Sequence, residues 1–507
     1  MALFDAIIWL ALFFVIWAST YFLVSELRSR RIARLPPGPY PIPIIGNILN
    51  VGQKPHESFA KLSKIYGPLM SLKLGSKRTV VVSSPTIASE VLQKYDQLFS
   101  GRAVANAVQA LDHDKASIVF LPASSQWRNL RKICKEQLFS LQKLDASQGS
   151  RREKLQELCD YLQRCSVSRK IVNVSDAAFT TSLNLISRSL FSVDFANYDS
   201  NSSQELKGIV WGIMKNVGAP NLADYFPVLQ MIDPQGIRRR ITFYMQRLFA
   251  IFDDVIDERL QVRGTSETKK NDLLEGLLDH SIKNESEFCR NDLKHLLLDL
   301  FLAGTETASV TVEWAMAELL RSPDKIANIR AELKEVIGKK EGVQESDISR
   351  LPYLQAVIKE TFRLHPPAPL LIPHKADEDV EINGFIVPKN TEVLVNVWAS
   401  GRDPTMWSNP ENFEPERFLG SDIIDVRGQH FELIPFGAGR RICPGLPLGY
   451  RMVHLMLASF IYNIDWKLED GMKPEDLDME EKFGLTVQRA WPLKAIPVKL
   501  RLQYIAI

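Results

Sequence analysis

Apolar and polar positions divide the chain into three regimes. The first is a nearly continuous apolar run from Leu3 to Val24, interrupted only by Asp5 and the Ser19-Thr20 pair and long enough to cross a bilayer as a helix. The acidic Asp5 at its start and the lack of an A-x-A site make it an uncleaved anchor, not a secretory signal. Arg28, Arg30, Arg31 and Arg34 follow directly, which puts that side in the cytosol. The second regime follows a stiff hinge, LPPGPYPIPIIGN, whose prolines exclude helix. It consists of short β-patterned pieces, LMSLKLG and RTVVVSS. The third is helical periodicity: PTIASEVLQKY with a proline at its start, SQWRNLRKICKEQLFS, and most of the chain from Ser150 to about Tyr353. Its longest apolar stretch is Leu296 to Leu320. Later, PLLIPHKADEDVEINGFIVPKNTEVLVNVWA alternates as paired strands around an Asn383-Gly384 turn. The expected organisation is an anchor over 1–25, a basic stop segment and hinge over 26–47, and one mainly α globule with a small β region over 48–507.

Composition changes this picture little. The formal charge of +2 with interspersed signs gives no nucleic-acid footprint. Five scattered cysteines, an odd number without disulfide-framework spacing, point to a reducing compartment, so the globule is expected to face the cytosol.

One cysteine stands apart. In FGAGRRICPG, Phe436 to Gly445, three glycines let the backbone approach a bulky planar object, and Pro444 removes a competing N–H. The apolar helix that follows sets the Cys443 sulfur near a helix N-terminus, where N–H groups favour a thiolate. Arg441 can neutralise an acidic edge of a cofactor and Phe436 can cover its ring plane. Haem iron held by cysteine suits all of these features, whereas zinc lacks a second Cys or His at ligand spacing.

The spacing F-x-x-G-x-R-x-C-x-G resembles that of the cytochrome P-450 haem-thiolate monooxygenases. Four further stretches match in family order. Trp127 and Arg131 form a W-x-x-x-R pair, which in the family meets a haem propionate. Ala303, Gly304, Thr305, Glu306 and Thr307 resemble the A/G-G-x-D/E-T stretch, with Glu306 and Thr307 as the acid and alcohol that relay protons to reduced O2. Many relatives carry a second hydroxyl residue where this chain has Ala308, so the relay rests on Thr307. Glu360 and Arg363 of KETFRLHPP, with Arg417 of PERF, resemble the family's buried Glu/Arg/Arg network. His374 stands where relatives carry a basic residue near a propionate; a satisfied surface histidine is the other reading.

The resemblance implies a single P-450-type globule with haem b between the Leu296 helix and the Cys443 loop. It also implies O2 as co-substrate and electrons from a separate membrane-bound NADPH-dependent reductase, because no dinucleotide-binding G-x-G-x-x-G follows a strand. An exposed basic stripe of Arg128, Lys132 and Lys135 is either the docking patch for that partner or a solvated face. The implied location is the endoplasmic reticulum membrane. The pocket wall is expected from Ala303, Gly304, Leu370, Leu371 and Leu485, apolar throughout. The resemblance is closest to plant terpenoid hydroxylases of the ferruginol-synthase and geraniol/nerol 8-hydroxylase group. It rests on VSSPTIASEVLQ, LPYLQAVIKETFRLHPPAPLLIP, FELIPFGAGRRICPGLPL and LDMEEKFGLTVQ, with DHDKASIVFLP leaning toward abietane oxidation. The rivals are a peroxide-rearranging haem-thiolate isomerase, which tends to lose the acid-alcohol pair, and a non-catalytic haem-binding membrane protein, which would not require Thr307.

Overall fold

The computed structural model describes residues 34–500, apart from residues 201, 264–269, 284–287, 339–341, 421–423 and 463, together with seven positions between residues 5 and 24. The expected anchor and the arginines at 28, 30 and 31 thus lie almost wholly outside the described residues. Among those described, no helix is long and apolar enough to cross a membrane.

After the hinge, helix α1 (Pro55–Tyr66) opens on a proline at its first turn. Strands β1 (Leu69–Leu74) and β2 (Lys77–Val82) then form an antiparallel hairpin. Val80, Val81 and Val82 are all buried, so this strand is covered on both faces and its apolar run is unbroken. The two-residue strand β3 (Gly101–Arg102) precedes α2 (Ser125–Cys134), whose first turn is capped by Ser124 Oγ accepting from the Trp127 N–H at 3.2 Å. Helix α3 (Val174–Phe191) is capped in the same way by Asn173, and α4 (Ser202–Gly218) follows.

Helix α5 (Arg290–Arg321) runs through the core against α3, α6 (Pro352–Leu364) and α7 (Leu446–Ile461). It begins at Arg290, ahead of the expected Leu296. The Asp292 carboxylate accepts the Cys289 N–H at 3.0 Å, a polar cap that apolar periodicity does not register.

Four short strands lie between α6 and α7: β4 (His374–Lys375), β5 (Val380–Ile382), β6 (Phe385–Val387) and β7 (Glu392–Val395). Near the C-terminus, β8 (Glu481–Lys482) and β9 (Gln488–Arg489) pair as a hairpin. The β5–β6 hairpin turns at Asn383 and Gly384, φ +49° and +79°, the left-handed pair that a tight two-residue connection demands. The expected small sheet does not stand by itself ahead of the helices. Its order is β1-β2-β7-β4-β3, with β7 joining β2 in parallel after the helical body has intervened. Sheet and helices are therefore folded around each other.

The Glu360–Arg363–Arg417 set is a buried network. Arg363 holds Glu360 through two bonds, Nε to Oε2 at 2.7 Å and Nη2 to Oε1 at 2.8 Å, with both side chains fully buried. Arg363 also donates to the carbonyls of Gly401, Pro410 and Asn412. Arg417 Nε reaches Glu360 Oε1 at 3.1 Å, and the Glu414 N–H donates to the same oxygen at 2.7 Å. Every polar arm is used, so α6 is fastened to the irregular segment 401–417.

Removing one partner of this network leaves buried guanidinium charge uncompensated. Glu360→Gln is expected to lower unfolding stability by about 3–5 kcal/mol, checked by chemical denaturation against the unaltered chain.

Candidate functional site

The loop before α7 is shaped by two left-handed glycines. Gly437 and Gly439 have φ of +70° and +63°, and a Cβ on Gly439 would fall 1.8 Å from the Leu92 carbonyl oxygen. The loop turns back on itself where the Cys443 N–H donates to the Phe436 carbonyl at 3.0 Å, and Gly445 caps α7. Phe436 packs edge-on against Phe362, ring centres 5.4 Å apart. Phe139, not singled out by its sequence setting, stands beside the sulfur across Gly445. Burial pushes the Cys443 thiol above its ordinary range, against the opposing pull of the Gly445 N–H, the Arg131 charge and the Leu446 N–H. The helix N-terminus and Arg131 pull toward the thiolate while burial pulls against it.

Helix α5 carries the expected acid, alcohol and wall residues. From His295 to Leu320 every residue is buried except Ala303, Gly304 and Thr307. Positions i, i+1 and i+4 lie on one side of a helix, so this is a single opening in an otherwise closed surface. Thr307 Oγ1 donates to the Ala303 carbonyl at 2.6 Å. Gly304 has a packing reason that the sequence reading did not supply: a Cβ there would fall 2.5 Å from Ile186 Cδ1 of α3. Its small size serves helix–helix approach, not only the expected pocket wall.

Glu306 turns away from Thr307. Its Oε1 accepts from Thr486 Oγ1 at 3.3 Å and from Gln488 Nε2, both on the C-terminal hairpin. Burial pushes its carboxyl up to about 7, with the hydrogen bond from Gln488 opposing. No described hydrogen bond joins Glu306 to Thr307. The acid and the alcohol are neighbours on the helix, facing different surroundings.

Beside the sulfur loop the structure gathers cations. Arg131 Nη1 donates to the Ile442 carbonyl at 2.8 Å, and Trp127 Nε1 donates to the Ile118 carbonyl at 3.0 Å. Arg441 lies over the Trp127 ring at 4.4 Å and donates to the carbonyls of Ser100 and Leu121. Arg102, which the sequence reading passed over, joins them; it donates to the Ile372 carbonyl at 2.7 Å and faces His374 across the β3–β4 pair. His374 is buried, not a surface residue, and its Nδ1–H donates to the Phe99 carbonyl at 2.7 Å, leaving Nε2 as an acceptor. Burial, then the Arg441 and Arg131 charges, lower Arg102 to about 9; burial, then Arg131, lower Arg441 to about 10. Burial and the charge of Arg102 hold His374 well below its ordinary value. None of the three arginines hydrogen-bonds a carboxylate among the described residues, and Arg441 Nη1 is buried without a partner. The cluster is arranged for an anion from outside the chain.

The remaining expected wall residues divide. Leu371 is buried with φ +51°, its Cδ1 near the Gly437 turn, while Leu370 packs against the β1–β2 core. Leu485, at the tip of the β8–β9 hairpin, is docked on α4: its N–H donates to the Met214 carbonyl at 3.1 Å, and Gly218 leaves room for its backbone. At its base the hairpin is held by Glu481, which bonds His56 Nε2 at 2.7 Å.

The family model described as Cytochrome P450 matches residues 36–491. The chain is similar to Cytochrome P450 76T24 of Catharanthus roseus, 65% identical over 98% of this chain and 99% of that protein. It is also similar to a ferruginol synthase of Isodon rubescens and to geraniol 8-hydroxylase of Catharanthus roseus, each 51% identical over 96% of this chain and 98% of that protein.

A carboxyl raised on folding binds its proton more tightly in the native state, so its contribution to stability is complete below the unfolded value and is lost as pH rises through the folded one. For Glu306 that window runs from 4.5 to about 7. The loss across it is on the order of 3 kcal/mol. Glu306→Gln is expected to remove this part of the pH dependence, checked by denaturant midpoints measured across the window.

Proposed function

Because the chain belongs to the cytochrome P450 family, we propose that it is a membrane-anchored monooxygenase that oxidises an apolar terpenoid, an abietane-type diterpene above all. The class is not in question: members are oxidoreductases that hold haem through a cysteine thiolate, which supplies O2 activation with electrons from a reductase. The assignment of residues to roles is carried by one observation: the Cys443 thiol lies within the field of Arg131, one of three clustered arginines that make no hydrogen bond to a carboxylate among the described residues.

Cys443 would hold the haem iron through its thiolate. Arg102, Arg131 and Arg441 would hold the two carboxylates of the haem b edge, with the unpartnered Arg441 Nη1 the donor kept for them, while Trp127 and His374, whose N–H groups are taken by the Ile118 and Phe99 carbonyls, would line that edge. Phe436 would pack beside the ring. On the facing side Thr307 presents its hydroxyl to the opening, and Glu306 is the acid that resupplies protons. Ala303, Gly304, Leu371 and Leu485 bound the substrate space and offer no charge, so a hydrocarbon skeleton is oriented by shape. Leu370, turned toward the sheet, acts through the backbone of Leu371.

A catalytic domain over 48–507, preceded by an anchor over 1–25 and a hinge over 26–47, is supported by surface apolarity near the hinge. Tyr40, Ile44, Val228, Met231 and Ile232 are exposed, and their two segments adjoin where Ser76 donates to the Tyr225 carbonyl and Gly75 to that of Ile45. Such a face suits contact with the endoplasmic reticulum membrane. Arg128 and Lys132 on α2 and Lys135 just past its end are exposed and suit an acidic, NADPH-dependent reductase. The second reading, a geraniol- or nerol-type monoterpenol hydroxylase, is supported by the relative of that name.

Two experiments test this assignment. Cys443→Ser should lose the reduced carbon-monoxide Soret band of thiolate-ligated haem; a variant retaining the full band would overturn the axial role. With reductase, the enzyme should oxidise abietanes in a panel that also contains monoterpenols. Ala303→Leu should exclude the tricyclic substrate or move its site of oxidation, with about 1–3 kcal/mol of discrimination. Unchanged abietane oxidation in that variant, with loss of the monoterpenol, would favour the second reading.

A further inference from the structure

Helix α5 carries a second buried carboxylate with no part in the scheme above. Glu313 is 3% exposed, and its Oε1 accepts the Leu493 N–H at 2.9 Å. It lies two turns beyond Glu306, roughly 10 Å along the axis and within about 20° of the same face. Between them, on that face, is Ser309, also buried, with its hydroxyl on the Glu306 carbonyl at 2.9 Å. Positions 306, 309 and 313 thus form one polar stripe inside an otherwise apolar helix core.

Glu313 also meets a path to the surface. The Ser175 hydroxyl, in the first turn of α3, lies beside its carboxylate. Lys207 of α4 donates to Ser175 Oγ at 2.8 Å and to Asp176 Oδ1 at 2.7 Å. The side chains of Lys207 and Asp176 are 21% and 34% exposed, so this end is wet.

We infer that Glu313, Ser309 and Ser175 form a proton route from the Lys207–Asp176 surface pair to Glu306, separate from the substrate opening. The inference rests on the reading of Glu306 as the acid of the site. Glu313 releases its proton through the Ser309 hydroxyl and a bridging water to the Glu306 carboxylate. It is reprotonated from solvent through the Ser175 hydroxyl. Only O–H bonds form and break, and the net change is one proton moved inward.

The electrostatics agree with a shuttle. Burial raises both carboxyls, Glu306 to about 7. Against Glu306 act the hydrogen bonds of Gln488 and Thr486 and the Lys207 charge, while the Glu313 charge raises it further. Against Glu313 act the Leu493 N–H, Lys207, Arg489 and Ser175. A structural carboxylate would need only the Leu493 contact, which a glutamine also makes.

The test is the rate at which Glu306 exchanges its proton with solvent. It is read by time-resolved infrared spectroscopy of the full-length haem protein after a pH jump, the Glu306 band being identified by its loss in Glu306→Gln. Glu313→Gln and Ser309→Ala are each expected to slow that exchange by about tenfold or more, and Lys207→Met to slow it likewise. The Glu306 midpoint should fall in Glu313→Gln, where a like charge has gone. Wild-type exchange rates in Glu313→Gln, or in Ser309→Ala should the first variant misfold, would overturn the route. The measurement needs no substrate, so it stands or falls apart from the terpenoid assignment.

Discussion

Three guanidinium groups, Arg102, Arg131 and Arg441, cluster beside the Cys443 thiol; the charge of Arg131 lowers both Arg102 and Arg441, and that of Arg441 lowers Arg102. Proteins seldom leave like charges so close in a medium that screens poorly. Here the backbone carbonyls of Ser100, Val119, Leu121, Ile372 and Ile442 take up their N–H groups, which fixes the side chains without neutralising them. The result is a positive recess whose free energy improves only when an anion arrives. Much of the surrounding fold can be understood as holding that recess in place: the β3–β4 pair positions Arg102 and His374, α2 supplies Trp127 and Arg131, and the two glycine turns aim Arg441 and Cys443.

The segment from Ser117 to Leu121 connects this recess to the core helix. Asp299 of α5 accepts from the Ser117 hydroxyl at 2.8 Å and from the Ile118 N–H at 2.9 Å. The carbonyls at 118, 119 and 121 then accept from Trp127, Arg102 and Arg441. One buried carboxylate thus sets the backbone that sets three side chains of the recess. Full satisfaction of such a chain is what makes it rigid.

These relations were unevenly legible. The Cys443 loop, the long α5 helix and the Asn383-Gly384 turn could be read directly, because local residue types dictate each. The Glu360–Arg363 pair announced its spacing, but its burial depended on where the 401–417 carbonyls came to rest. Arg102 could not be found. It is one arginine in a two-residue strand, and its role arises only when a strand from the other side of the helical body pairs with it. Periodicity also could not tell that Glu306 would face the C-terminal hairpin, or that Gly304 would be needed by Ile186. Both are matters of distant partners, and they overrode a local expectation that was chemically reasonable.

The hairpin from Glu481 to Arg489 serves two neighbours with one short piece of chain. Its tip docks Leu485 on α4, where the proposed function puts a wall of the substrate space, while Thr486 and Gln488 hold Glu306. A change that reshapes the tip for a different skeleton also shifts the groups that orient the acid. Adaptation to new substrates along this segment is therefore epistatic: selectivity and proton supply are inherited together, and substitutions there are expected to arrive in compensating pairs. A substitution at Ala303, on the opposite wall, is free of that linkage.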